Sequence, residues 1–110
     1  MSINENAIKV VISDGSEAYV FADKRGGVTT PESRLASAKA GTGNGFVNVK
    51  LGKDRNSESD YVNIDHIVRY SPVGLPIPTE IENLYKAPEK ETDEEAKIRT
   101  DKIKEYYNQI

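Results

Sequence analysis

The stretch from Ile8 to Phe21 constrains the fold more than any other part of the sequence. Ile8-Lys9-Val10-Val11-Ile12-Ser13 is apolar and β-branched, Asp14-Gly15 interrupts it, and Glu17-Ala18-Tyr19-Val20-Phe21 resumes it. Asp-Gly between two such runs predicts a β-hairpin with a two-residue type I′ turn, because that turn needs positive φ at both central positions. Closing the turn at Ser13 and Ser16 sets Val10 opposite Tyr19 and Ile8 opposite Phe21. Ile8, Val10, Tyr19 and Phe21 then form the expected core face, with Lys9, Val11, Ala18 and Val20 on the other. That second face is itself moderately apolar, so further cover is expected, a C-terminal helix being one source.

A second pair of strands is expected over Phe46–Leu51 and Asp60–Ile64, joined by a polar loop. Setting Val47 opposite Ile64 and Val49 opposite Val62 gathers four β-branched residues on one face. Phe46, Asn48, Lys50, Tyr61 and Asn63 are left on the other. A tight turn over Asn63–His66 feeds a last strand, Ile67–Tyr70, ended by Ser71-Pro72. Five short strands within 70 residues predict a small barrel or strongly bent sheet, since closure removes exposed edges. The strand-rich body is similar in outline to SH3-like and OB-like barrels, a likeness of architecture that many unrelated functions share.

The remaining segments read as helical. Residues 24 to 45 are long for a structureless loop; Thr30 as N-cap, Pro31 at the first helical position, an alanine-rich body and Gly41 as the stop predict a short helix, with a mobile segment as the alternative. Only Leu35 could dock it. Thr79–Glu82 has capping-box spacing ahead of the Ile81, Leu84, Tyr85 triplet. Thr92–Glu95 repeats that signal and opens an amphipathic helix whose stripe is Ala96, Ile103, Tyr107 and Ile110. The class is therefore mainly β with a C-terminal helix (α+β). A β-barrel-like unit is expected over 1–74, with a flexible or short-helical insertion at 24–45, then a Pro-bounded connection over 75–90 and the C-terminal helix over 91–110.

Charge supplies the sharpest functional signal. Between Lys24 and Arg55 seven basic residues (Lys24, Arg25, Arg34, Lys39, Lys50, Lys53, Arg55) stand against two acidic ones, a local excess of +5 in a chain of net charge −3. A cationic, Gly-rich segment beside a strand face bearing Phe46, Asn48 and Tyr61 is what a small barrel uses to bind single-stranded nucleic acid, with aromatics stacking on bases and cations tracking phosphates. The alternative is a protein-interaction or oligomerisation module, a phage- or plasmid-type accessory protein, whose partner or second copy is met by the barrel surface and by Ile103, Tyr107 and Ile110. The bland reading of the same residues is a half-covered sheet face with ordinary solvated charge.

Other chemistry finds little footing. Cysteine is absent and His66 is the single histidine, which leaves no thiolate site and makes a zinc centre an unusual carboxylate construction. Asp65-His66 near Ser71 lacks any nucleophile-elbow pattern. Gly41–Gly45 precedes a strand instead of opening a helix, so it is not a phosphate loop. The acidic run Glu89–Glu95 suits a helix start. No enzyme, metal or small-molecule cofactor is expected. No apolar run approaches a membrane span and the first residues lack signal-peptide character, so the expected location is cytoplasmic with no membrane partner.

Overall fold

A computed structural model of the chain describes residues 4–25, 27–40, 45–86 and 89–109. In chain order these form β1 (Asn4–Ile12), β2 (Glu17–Phe21), α1 (Pro31–Lys39), β3 (Phe46–Lys50), β4 (Ser59–Asn63), a 3₁₀ turn (Ile64–His66), β5 (Ile67–Pro76), α2 (Thr79–Leu84) and α3 (Asp93–Tyr107). The strands make one antiparallel sheet in the order β4-β3-β2-β1-β5. The α+β class holds, whereas the sheet is open, with β4 and β5 as its edges, and does not close into the expected barrel.

The hairpin is present in a different register. Its loop has three residues, not two: the Ile12 N–H donates to Ser16 O, the Gly15 N–H donates to Ile12 O, both at 2.8 Å, and Gly15 sits at φ 91°. A left-handed glycine closing a three-residue loop is the next most common hairpin solution. The extra residue moves every pairing by one, so Ile8 faces Val20 and Val10 faces Ala18. A one-residue slip exchanges faces on one strand. Ile8, Val10, Ala18 and Val20 therefore form the main core, and Tyr19 and Phe21 pack on the opposite side of the sheet with Ala7 and Leu75.

The second strand pair shifts by two residues, with Val47 opposite Val62 and Asn48 opposite Tyr61. An even shift preserves facing. Val47, Val49, Val62 and Ile64 still share the main core, and Ile64 itself leaves β4 for the 3₁₀ turn. The last strand runs beyond its expected stop at Ser71-Pro72, reaching Pro76 along the whole of β1. Proline lacks the ladder donor, so a strand carrying Pro72 and Pro76 is confined to a sheet edge, which is where β5 lies.

Helix α1 begins as expected: Thr30 caps it by accepting from the Ser33 N–H at 3.2 Å. Ala40 is its C-cap, while Gly41 lies outside the described residues. Leu35 and Ala38 join the main core. Helix α2 starts one residue earlier than the capping-box spacing implied, because Pro78 and not Thr79 is the N-cap, with no side-chain cap bond. Helix α3 has the expected cap, Thr92 Oγ1 accepting from the Glu95 N–H at 3.2 Å.

Arg99 joins the two C-terminal helices. Its Nε donates to Glu91 at 2.8 Å and its Nη1 to the Leu84 carbonyl at 2.8 Å. Burial on α3 is concentrated at one end: Tyr106 is its buried residue. The molecule is consequently elongated, 52 × 27 × 19 Å with a radius of gyration of 15.8 Å, against about 13 Å for a compact chain of this length. Among the described residues no helix is long and apolar enough to cross a membrane.

Candidate interaction surface

The register places Tyr19, Phe21, Phe46, Asn48, Lys50, Ser59, Tyr61 and Asn63 on the sheet face opposite the main core. Two halves of that face meet different fates. Around Glu5 and Phe21 it is covered by Arg55 of the loop after β3, which is held in turn by the last turn of α3. Over β3 and β4 it is open, with Phe46 at 50% and Tyr61 at 70% exposure. These two rings are diagonal neighbours, a spacing within reach of aromatic side chains.

Arg55 organises the covered half, and its side chain has no exposure at all. Its Nε and Nη2 donate to the Glu5 carboxylate at 3.0 and 2.8 Å. Its Nη1 donates to the carbonyls of Tyr107 at 3.2 Å and Gln109 at 2.9 Å. The guanidinium also lies 5.2 Å from the ring centroids of Phe21 and Tyr107. Four donor contacts in a fixed plane, two of them to carbonyls at the negative end of α3, are what arginine supplies and lysine cannot. The Arg55 N–H donates to the Tyr106 hydroxyl at 3.2 Å, and Gln109 Nε2 to Asn56 Oδ1 at 2.6 Å. Burial pushes the Tyr106 hydroxyl up to about 12 and raises Tyr107 as well, helped by its hydrogen bond with Tyr85.

The other basic side chains are distributed unevenly. Arg34 reaches from α1 into the gap between β2 and β3, whose described pairing is the single pair Tyr19–Lys50. It donates through Nη1 to Phe21 O and through Nη2 to Asn48 O at 2.8 Å, bridging the residues that would form the next pair. Burial lowers its pKa, with Asp23 opposing and the Arg55 and Arg25 charges adding. Lys50 is buried and donates to the Ser59 hydroxyl at 2.6 Å. Its pKa is lowered by burial first and then by Arg55 and Arg34.

Arg25 is exposed, paired with Asp23 at 3.2 Å, and close enough to Tyr61 to feel its hydroxyl. Lys24 Nζ sits 4.1 Å over the Tyr107 ring. Lys39 and Lys53 are exposed. Of the basic segment, then, Lys50 and Arg55 are under cover, Arg34 is half-buried and bound to backbone carbonyls, and Arg25 is the exposed cation near Tyr61.

For the helix candidates, Ile103 and Tyr107 are half-buried on α3, and Ile110 lies outside the described residues. Tyr107 is held by Lys24, Arg55 and Tyr85 of its own chain. Sequence reasoning missed Glu5, Tyr106 and Ile98. Glu5 had a legible signal: two residues before buried Ala7, it falls on the same inward face and so calls for a buried cation.

Arg34 gives a direct check on the β2–β3 gap. Arg34→Ala is expected to lower stability by about 2 kcal/mol, because charged hydrogen bonds are lost and two carbonyls lose their donor. Arg34→Lys should recover little of this, since an ammonium cannot span both carbonyls. Urea denaturation in which lysine matches arginine would show that the bridge does not matter.

Over 106 residues the chain is 31% identical to virion protein 6 of Enterococcus phage phiEF24C, an alignment covering 94% of this chain and 93% of that protein. The chain belongs to the same family. The likeness to the phage virion protein spans both the sheet and the C-terminal helices. No family model matches the sequence, and no solved structure matches it.

Proposed function

We propose that this protein is a non-enzymatic structural or accessory component of a phage particle, working as a protein-interaction module. The observation that carries the reading is the near full-length relationship to a virion protein. Support also comes from an exposed aromatic face at Phe46 and Tyr61 and from a polar pair of C-terminal helices joined through Arg99. Exposed aromatics at a rigid sheet surface are typical anchors of protein interfaces. A meander of β1 to β4 with β5 returning to β1 supports an opened relative of the SH3-like barrels more than an OB-like one, which is a Greek key.

Binding of single-stranded nucleic acid is the second reading, favoured by Phe46, Tyr61 and the nearby Arg25. It has fewer cations than the sequence offered, because Arg55 and Lys50 are buried and Arg34 is engaged with backbone carbonyls.

Two measurements separate the readings. Mass spectrometry of gradient-purified particles is expected to find the protein at fixed stoichiometry, and its absence from particles overturns the structural role. Fluorescence anisotropy with single-stranded oligonucleotides at low salt is expected to show no salt-dependent binding. Binding abolished by Phe46→Ala and Tyr61→Ala would transfer the aromatic face to the nucleic-acid reading.

A further inference from the structure

We propose that the outer edge of β4 is a docking site for an extended segment of another protein, which adds to the five-stranded sheet as a further strand and carries lysine or arginine at alternate positions. The inference rests on the interaction-module reading above and names the class of partner. Backbone geometry, an unequal protection of the two sheet edges and the position of Asp60 carry it.

The ladder fixes which backbone groups of β4 are already bonded. The Leu51 N–H donates to Glu58 O at 2.9 Å and the Ile64 N–H to Gly45 O at 2.8 Å, and between them the pairing runs without a shift. Bonded pairs alternate along an antiparallel ladder. Glu58, Asp60, Val62 and Ile64 therefore bond to the β3 side, and the N–H and C=O groups of Ser59, Tyr61 and Asn63 point away from it. β4 is the last strand on this side of the sheet. A row of such groups is a template for another strand, and adding an extended peptide to it is a recurrent mode of recognition.

The opposite edge is closed to the same use. The Ile12 N–H donates to Ser16 O, so along the unshifted β1–β2 pairing Val10 and Ile8 bond to β2, which leaves Lys9 and Ala7 to bond β5. Pro72, Gly74 and Pro76 alternate with the β5 residues that bond β1, and they face outward. Proline removes the donor at two of these positions. Between Ser59 and Asn63 no proline stands, and the guard is a side chain: Asp60 Oδ1 accepts from the outward Tyr61 N–H at 2.9 Å. A proline blocks pairing permanently, whereas an exposed carboxylate can turn away.

Asp60 also selects the partner. Strand alternation puts Glu58 and Asp60 on the face of Val62, and Ser59, Tyr61 and Asn63 on the other. Both carboxylates are exposed, and neither enters an ion pair among the described residues. The cations placed near β4 belong to the Tyr61 face: Lys50 donates to the Ser59 hydroxyl, and Arg25, near Tyr61, is paired with Asp23. A cation opposite Asp60 draws its carboxylate off the Tyr61 N–H and frees that donor for an incoming carbonyl. A neutral or acidic strand has to displace the carboxylate without compensation. Partner residues facing Tyr61 are then β-branched or aromatic, the cross-strand neighbours that stabilise a tyrosine. A second β4 is the poorer occupant, because it brings the same unpaired carboxylates to the edge.

The test uses the full chain labelled with nitrogen-15 and a short acetylated, amidated peptide that alternates lysine with valine. Saturable binding is expected by nuclear magnetic resonance, and amide exchange at Ser59, Tyr61 and Asn63 should slow about tenfold or more, while Asp60 and Val62, already in the ladder, change little. The same peptide N-methylated at every residue keeps its side chains and loses its donors, and should bind at least about tenfold more weakly. Glutamate in place of lysine should have an effect of similar size. Glu58→Lys/Asp60→Lys is expected to exchange the preference, favouring the glutamate peptide. Far-UV circular dichroism and a thermal midpoint matching wild type establish that this variant is folded.

Absence of binding by the lysine peptide at millimolar concentration overturns the proposal, as does binding that survives N-methylation, which would make the contact ionic alone. Protection of Ser59, Tyr61 and Asn63 that grows with protein concentration in the absence of peptide assigns the edge to a second copy, and protection brought by a single-stranded oligonucleotide assigns it to nucleic acid. Either result also overturns the proposal. These outcomes are independent of the particle analysis. A protein found in particles that binds no peptide refutes strand addition alone; a protein absent from particles that binds the peptide refutes the virion role alone.

Discussion

Replacing Arg55 by alanine is expected to destabilise the protein by about 3–5 kcal/mol, the cost of breaking a buried ion pair by removing one partner. Glu5 would be left as a buried carboxylate, and the Tyr107 and Gln109 carbonyls would lose their donor. Against a total stability of about 5–15 kcal/mol for a domain, this leaves a marginal fold. Chemical denaturation should show the loss, and native-state hydrogen exchange should show α3 opening first, because Arg55 joins its last turn to β1. Arg55→Lys should be nearly as damaging, since an ammonium cannot serve a carboxylate and two carbonyls in one plane. The pairing with Glu5 is tested by Glu5→Leu in the Arg55→Ala background, which removes the stranded charge and should restore part of the stability. A double variant no more stable than Arg55→Ala alone would mean that Glu5 is not what Arg55 neutralises.

Arg55 also marks where sequence reasoning stopped being informative. A charge count gives every arginine in a basic segment the same weight, yet Arg55 is the largest fully buried side chain among the described residues while Arg25, thirty residues earlier, is exposed. The difference is set by a long-range encounter with Glu5 and the end of α3, which no local pattern encodes. Periodicity fared better where one face alone is buried. Val47, Val49, Val62 and Ile64 were legible as a core set because the β3–β4 shift was an even number of residues. The first hairpin lacks that safeguard. Both of its faces are apolar, so alternation could not choose between a two-residue and a three-residue loop, and a left-handed Gly15 suits either one.

The same ambiguity touches α3. Its apolar stripe runs through Tyr107, whereas Tyr106 is the buried ring, because the helix meets the sheet by its end and not along its length.

The second large effect is expected at alkaline pH and comes from those tyrosines. Tyr106 titrates near 12 in the folded protein, against about 10 in an unfolded chain. A tyrosine whose folded pKa is raised favours its neutral form in the native state. Its contribution is therefore fully present below pH 10 and is lost progressively as pH rises from about 10 to 12. Two pKa units correspond to about 2–3 kcal/mol, and Tyr107, also raised by burial and by Tyr85, adds to the loss. The fold should thus weaken steeply across that window, with release of α3 as the earliest event.

Lysine deprotonation occurs in the same range, so a variant has to isolate the tyrosine. Tyr106→Phe keeps the ring and removes the ionisation, at the cost of the hydrogen bond from the Arg55 N–H, about 1 kcal/mol at neutral pH. It should be less stable than wild type at pH 7 and lose less stability above pH 10, so the two curves converge and then cross. Urea midpoints measured across pH 7 to 12 decide the matter: parallel curves would show that ionisation of Tyr106 is not coupled to the docking of α3.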